Sequence, residues 1–204
     1  MTSPAGPAEP AGLRERKKAR TRREIQRHAL RLFRDEGYAA TTVERIAAAA
    51  EVAPSTVFRY FPTKEDLVAL DDYHGLGEAV AAGFARQPPE LSALGALRAA
   101  LRDAFAALSP ADRAARNERD VLIVAVPELW AANLGMVQDG LRAVGALVAE
   151  RSGRTADDPA VRALCAAVLG VALGVLLDAA RDPGLDPAEE LDAALGRLEE
   201  GVAL

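Results

Sequence analysis

The sequence predicts an all-α chain of about nine helices, and three observations carry that expectation. Ala and Leu, both strong helix formers, dominate a chain that is 50% hydrophobic. Runs of Val, Ile, Thr and aromatic residues, which favour strands, are missing. Apolar residues recur at helical spacing, and Pro, Gly and Asp divide the periodic segments from one another.

The first predicted helix runs from Arg14 to Glu36. Ile25, Ala29, Leu32 and Phe33 recur at i, i+4, i+7 and i+8 and make one apolar stripe. Gly37 then suits the left-handed residue that ends a helix. A second helix opens on a capping box, with Thr41 as N-cap and Glu44 three residues on. Its stripe is Val43, Ile46, Ala47 and Ala50. Pro54 fits the first position of a third helix and pushes Ala53 out of the helical region, so Glu51-Val52-Ala53 is a break. Thr63 with Asp66 repeats the N-cap signature and opens a fourth helix through Leu67 and Leu70 towards Phe84. Beyond Arg86–Glu90 ("RQPPE"), further helices are expected at Leu91–Leu108, Pro110–Val126, Glu128–Arg151, Pro159–Ala180 and Pro187–Val202.

Charge divides the chain unevenly. Residues 1–66 hold 13 Lys and Arg against 9 Asp and Glu, whereas the remainder holds 12 against 21. A polyanion partner would therefore meet the first part only. The opening "MTSPAGPAEPAG" lacks an apolar core and reads as a disordered tail. Cys165 stands alone, so no disulfide or Cys-based zinc site forms within one chain, and a reducing cytoplasm is the plain inference. The run Ala163–Leu177 is 15 residues long, short of the ~20 needed to cross a bilayer. It reads as a helix buried among other helices.

Catalysis is not expected. His28 and His74 lie far apart without a nucleophile or carboxylate set, and Asp71 near His74 makes only a weak metal-site pattern. Gly75-Leu-Gly77 lacks the strand and third glycine of a dinucleotide fingerprint. The pairs Asp157-Asp158 and Glu189-Glu190 look like helix starts, where negative charge is favourable. No cofactor or metal is expected.

The stretch Thr41–Leu67 carries function. Two helices separated by three residues have the spacing of a helix-turn-helix, whose second helix enters the major groove. Val52, Val57 and Phe61 would anchor that helix. Pro54, Ser55, Thr56, Arg59 and Tyr60 are left for its outer side, where hydroxyls and an Arg can contact base edges or phosphates. The basic run "RERKKARTRRE", with Arg14, Arg16, Lys17 and Lys18, extends the first helix or precedes it as an arm that reaches phosphate or the minor groove.

Tyr38, "TTVERIAAAA", Val52 and "STVFRYFPTKEDL" form an ordered series over residues 19–79 that resembles the TetR family of bacterial transcriptional regulators. The resemblance implies two parts. Behind the disordered, basic arm (1–18) already read from composition, these are a three-helix helix-turn-helix DNA-binding domain (19–79) and a helical ligand-binding and dimerisation domain (80–204). It also implies a sequence-specific, ligand-responsive repressor that acts as a homodimer on a double-stranded DNA operator. By position, Thr42 would approach phosphate, Ser55, Thr56 and Arg59 would read the groove, and Tyr60 and Lys64 would grip the backbone. Three departures stand out. Glu51 replaces a common turn Gly, which costs on the order of 1 kcal/mol if the backbone is left-handed there. Ala53 replaces a common Ser, and Phe58 a common Tyr.

In the helical body, Gly170 and Gly174 lie four apart on one face and permit close approach by another helix. Dimerisation through the last two helices and an intramolecular contact both satisfy this pattern. Phe84, Phe105, Trp130 and Met136 suit a cavity lining for an apolar small-molecule effector, with an acyl thioester as an anionic alternative. Arg102, Arg116, Arg119 and Asn133 are its polar handles, although plain core and plain surface are the ordinary fates of such residues. A helical small-molecule carrier without operator function is the competing class, and an enzyme using the cavity is a third.

Overall fold

The computed structural model describes residues 11–68 and 73–201. Among these residues there are nine α-helices and one short tight helical turn, with no strand. The chain forms two compact units, residues 1–68 and 69–204. The domain boundary expected at 79/80 falls inside a helix of the second unit.

The first unit holds α1 (Ala11–Glu36), α2 (Val43–Ala49), α3 (Pro54–Tyr60) and the tight turn Glu65–Val68. Its core is the stripe expected of α1, with Ile25, Ala29 and Phe33 buried against Ile46, Ala47, Val57, Phe61 and Leu67. The basic run is part of α1 from Ala11 onward, so residues 11–18 are helical and not a disordered arm. Gly37 ends α1 at φ +87, a backbone state that a β-carbon disfavours. Leu70, Asp71 and residues 1–10 lie outside the described residues.

Two start signals behave differently from expectation. The N-cap of α2 is Thr42, whose hydroxyl accepts from the Arg45 amide at 3.3 Å. Thr41 is instead buried, and its hydroxyl donates to the carbonyls of Gly37 at 2.9 Å and Leu32 at 3.2 Å. Two adjacent threonines compete for one capping role, and a buried hydroxyl must first satisfy itself. The Thr63–Asp66 pair does cap reciprocally: the Thr63 amide donates to Asp66 Oδ2 at 2.8 Å, and the Asp66 amide to Thr63 Oγ1 at 3.3 Å. It opens the turn Glu65–Val68, and α4 is described from Tyr73.

The second unit comprises α4 (Tyr73–Ala85), α5 (Ala93–Ala106), α6 (Pro110–Ala125), α7 (Pro127–Ser152), α8 (Pro159–Arg181) and α9 (Pro187–Glu200). Pro opens each of α6 to α9 at a position where no amide hydrogen is needed. Asp158 and Asp186 cap α8 and α9 by accepting from amides two residues on. Val80, Phe84, Ala96, Leu97, Ala100 and Ala104 knit α4 to α5. The helices approach closely there because a β-carbon on Gly83 would lie 3.3 Å from that of Ala100. Arg98 makes a bidentate pair with Asp192, both bonds 2.9 Å, and ties α5 to α9.

Burial of α8 departs from expectation. The helix is 23 residues long, longer than the apolar run read from the sequence, and is long and apolar enough to cross a membrane. Only 17% of its most apolar 18-residue stretch is buried within this chain. Gly170 and Gly174 are exposed, and a β-carbon at either would meet no atom within 4 Å. Among the described residues of the second unit, no helix lies against either glycine.

Candidate nucleic-acid interface

The helix-turn-helix is built from α2, a tight turn and α3. Ala50, which caps the C-terminus of α2, is followed by Glu51 at φ 55, a left-handed non-Gly residue. The Val52 amide donates to Ala47 O at 2.9 Å and the Glu51 amide to Ala48 O at 3.2 Å. Those two bonds are the crossed pair of a Schellman ending, which is why the turn demands a left-handed residue. Glu51 therefore carries a conformational cost that glycine would avoid. Ala53 precedes Pro54 in extended conformation with no side-chain cap, so α3 starts on proline geometry alone.

On α3, Val57 and Phe61 are buried, at 1% exposure each, and hold the helix to the core. Val52 is half-buried in the turn beside them. Ser55 and Arg59 are exposed, four residues apart on the outer face, and Thr56 and Tyr60 are half-buried at its flanks. Arg59 sets its guanidinium 5.4 Å from the centre of the Tyr60 ring. Thr42 is exposed at the start of α2.

Lys64 is half-buried. Its ammonium donates to the Tyr38 carbonyl and stands 4.0 Å from the Tyr38 ring centre. The Tyr38 hydroxyl in turn donates to Glu65 at 2.9 Å. Backbone and Tyr38 hydrogen bonds hold the Glu65 carboxyl below its usual range.

Two residues of this surface carry more than the sequence suggested. Arg22 of α1 donates to the Tyr60 carbonyl at 2.8 Å and stacks 4.4 Å from the Phe61 ring centre. It thereby satisfies an acceptor at the end of the short α3, where intrahelical donors run out. Phe58 is 48% exposed on the outer face between Ser55 and Arg59, a large apolar side chain turned to solvent. The basic run of α1 presents Arg16, Lys17 and Lys18 as exposed side chains.

The second unit holds a cavity of about 240 Å³, partly open to solvent, lined by α4 to α9. Phe105, Trp130 and Met136 line it, as does Arg116, whereas Phe84 belongs to the α4–α5 core. Asn133 is buried and donates to Leu129 O at 2.8 Å, Arg102 is exposed, and Arg119 is half-buried outside the lining. Asn117 and Asp120 join the lining, which sequence reading missed because α6 looks like a charged surface helix. No cluster of His, Cys, Asp and Glu suited to a metal occurs among the described residues. His28 sits between Arg27 and Arg31, and partial burial and then those two cations push its pKa down.

A capped helix, a tight turn and a half-exposed second helix beneath a basic α1 define a helix-turn-helix DNA-binding unit joined to a helical body. Residues 25–70 match the family described as bacterial regulatory proteins, tetR family. Residues 91–203 match the family described as MftR C-terminal domain. The chain belongs to the TetR family and is a DNA-binding transcriptional regulator. The HTH-type transcriptional regulator TcmR of Streptomyces glaucescens is 38% identical over 162 residues, 77% of this chain and 70% of that protein. MftR of Mycobacterium tuberculosis, named for regulation of mycofactocin biosynthesis, is 28% identical over 92% of this chain and 93% of its own length. These relatives are named as regulators and not as enzymes, and they do not favour the carrier reading.

Among solved structures, FadR of Thermus thermophilus, a repressor in complex with lauroyl-CoA, aligns with TM-score 0.51 and 27% identity. That alignment covers 90% of this chain and 95% of that one. NalD of Pseudomonas aeruginosa shares the fold with TM-score 0.66 at 22% identity, over 91% and 97% of the two chains.

Proposed function

We propose that this regulator is a homodimeric, ligand-responsive repressor that works in the bacterial cytoplasm, with α3 as its recognition helix. The observation that supports this most strongly is the two-sidedness of α3: Val57 and Phe61 are spent on the core, while Ser55 and Arg59 face outward. Ser55, Thr56 and Arg59 read the major groove. Thr42, at the start of α2, and Tyr60 bind phosphates. Lys64 releases the Tyr38 carbonyl to do the same. The expected division assigns residues 19–79, which hold α2, α3 and most of α1, to DNA and residues 80–204 to ligand and partner.

The dimer forms through α8 and α9. An apolar helix left mostly uncovered by its own chain, with two exposed glycines on one face, suits a second copy pressed close. Two recognition helices then address half-sites one DNA turn apart. Effector in the body cavity shifts the dimer towards a form with lower DNA affinity, by as much as its affinities for the two forms differ.

Binding to promoter DNA across a salt series tests this reading. Arg59→Ala is expected to cost about 1–3 kcal/mol and to relax preference at one base. Lys64→Ala is expected to weaken binding alike on all sequences and to flatten the salt slope by about one unit. A thermal melt run in parallel separates that effect from loss of the Tyr38 contact. Wild-type protein that prefers no sequence over bulk DNA would refute the operator role. Unchanged DNA affinity in both mutants would return the carrier reading.

A further inference from the structure

α1 is longer than its core requires. It is helical from Ala11, about 21 Å before Ile25 at ~1.5 Å per residue, and Ile25 is the first of its described side chains to be buried. Residues 15–20 are all exposed, so they lack the packing that supplies most helical stability in proteins. Residues 14–23 hold seven Lys and Arg against one acid, Glu15. Like charges stand one turn apart at Arg16 and Arg20, and again at Lys18 and Arg22, and such pairs weaken a helix in water. A polyanion laid against this projection turns the repulsion into attraction.

The projection leaves the core at the end of α3, and its assignment to DNA rests on α3 being the recognition helix. Arg22 donates to the Tyr60 carbonyl at 2.8 Å and stacks on Phe61, which fixes α1 to the C-terminal end of α3. From Arg22 the helix runs on for about 16 Å to Ala11, close to half of the ~34 Å turn of a duplex. Its cations form two rows. Lys18 stands in register with Arg22, Ile25 and Ala29, so the stripe that is buried further along is cationic and exposed here. Arg16, Arg20 and Arg23 make a second exposed row, at i, i+4 and i+7, on the other side of the helix. Ala19 is the only apolar residue among 15–20, which leaves little for a protein partner to bury. We propose that the N-terminal turns of α1 form a second DNA contact, a rigid cationic rod that binds phosphates beyond the stretch read by α3. It adds affinity without adding sequence preference.

The triple variant Arg16→Gln, Lys18→Gln, Arg20→Gln removes charge and keeps residues of good helix propensity, which circular dichroism checks. Arg16→Lys with Arg20→Lys keeps the charge and serves as the control. Affinity for a selected operator across a salt series is the first readout. The salt slope of the triple variant should flatten by about 2.7 units per bound subunit, at ~0.9 for each phosphate released, while the Lys control holds the wild-type slope. The single Gln variants, each expected to flatten the slope by about 0.9 units, carry the test if the triple variant loses helix. Relative affinities across single-base variants of the operator should not move, because phosphate contacts carry no base information. Ethylation of phosphates, one at a time, is the second readout. Wild-type protein should lose affinity at phosphates beyond the bases whose preference Arg59→Ala relaxes. The triple variant should be indifferent to those same ethylations.

A slope change below about one unit per subunit in the folded triple variant overturns the proposal, as does a shift in its base preference or an unchanged ethylation pattern. Slopes on duplex of random sequence separate this contact from the operator reading. Wild-type protein without sequence preference, but with a slope that the triple variant flattens, refutes the operator role and leaves the phosphate contact standing. Intact sequence preference with equal slopes does the reverse.

Discussion

Phe58 stands 48% exposed on the recognition helix, beside Arg59 and three residues from Ser55. The thymine methyl is the apolar group that base edges present in the major groove, and a phenyl ring suits it. Replacing thymine by uracil, one position at a time in a selected operator, removes that methyl and nothing else. Wild-type protein is expected to lose about 0.8 kcal/mol, roughly fourfold in affinity, at one base of each half-site. Phe58→Ser should be indifferent to the same change, as read by fluorescence anisotropy. Loss of the methyl effect only in the mutant supports the contact, and an equal effect in both sinks it. Glu51 is the complementary case: its left-handed φ of 55 satisfies the Schellman bonds of the turn, so the turn keeps its shape without the glycine common in the family. The departure that looked like a threat to the turn is a local strain that two backbone hydrogen bonds hold in place.

At the scale of elements, caps and long-range ties set the helices in their order. The Arg98–Asp192 pair joins α5 to α9, with side chains 28% and 27% exposed, so solvent screens part of its strength. The hydrogen bond from Arg98, and then its charge, hold the Asp192 carboxyl below its usual range. A depressed folded pKa means stability that is full above the unfolded value near ~3.9 and is lost as pH falls through the folded value. Asp192→Asn is expected to cost about 1 kcal/mol in urea unfolding at neutral pH. The difference from wild type should close as the medium is acidified below about pH 4. A gap that persists undiminished in acid would show that the loss is one of packing and not of charge. Close approach is part of the same tie, because a β-carbon on Gly196 would lie 2.7 Å from the Arg98 guanidinium.

For the whole molecule, the uncovered face of α8 carries the largest consequence. Gly170→Leu with Gly174→Leu places bulk where this chain has open space. Each subunit should therefore keep its helical content and thermal stability. Sedimentation should nevertheless show dissociation to monomers. Operator affinity should fall on the order of a hundredfold or more, as two linked half-site contacts become one. A dimer that survives the double change would move the interface away from this face. Cys165 offers no competing covalent route to a dimer, since it is buried between α7 and α8 and burial pushes its thiol pKa up.

Helix number, the register of the α1 stripe, the turn at Glu51 to Ala53 and the exposure of Pro54, Ser55 and Arg59 on α3 were legible from sequence alone, whereas the exposure of Phe58 was not. Each rests on local physics: apolar periodicity, proline geometry and the limits on backbone angles within a few neighbouring residues. The N-cap at Thr42 was not legible, because adjacent threonines look alike until one of them is buried. Arg22 on the Tyr60 carbonyl, Asp120 facing a cavity and the bare glycine face of α8 were equally hidden. Those are facts about residues far apart in the chain or about space left empty. Distance and vacancy arise only when helices pack, since the linear pattern records which face is apolar and never what that face meets.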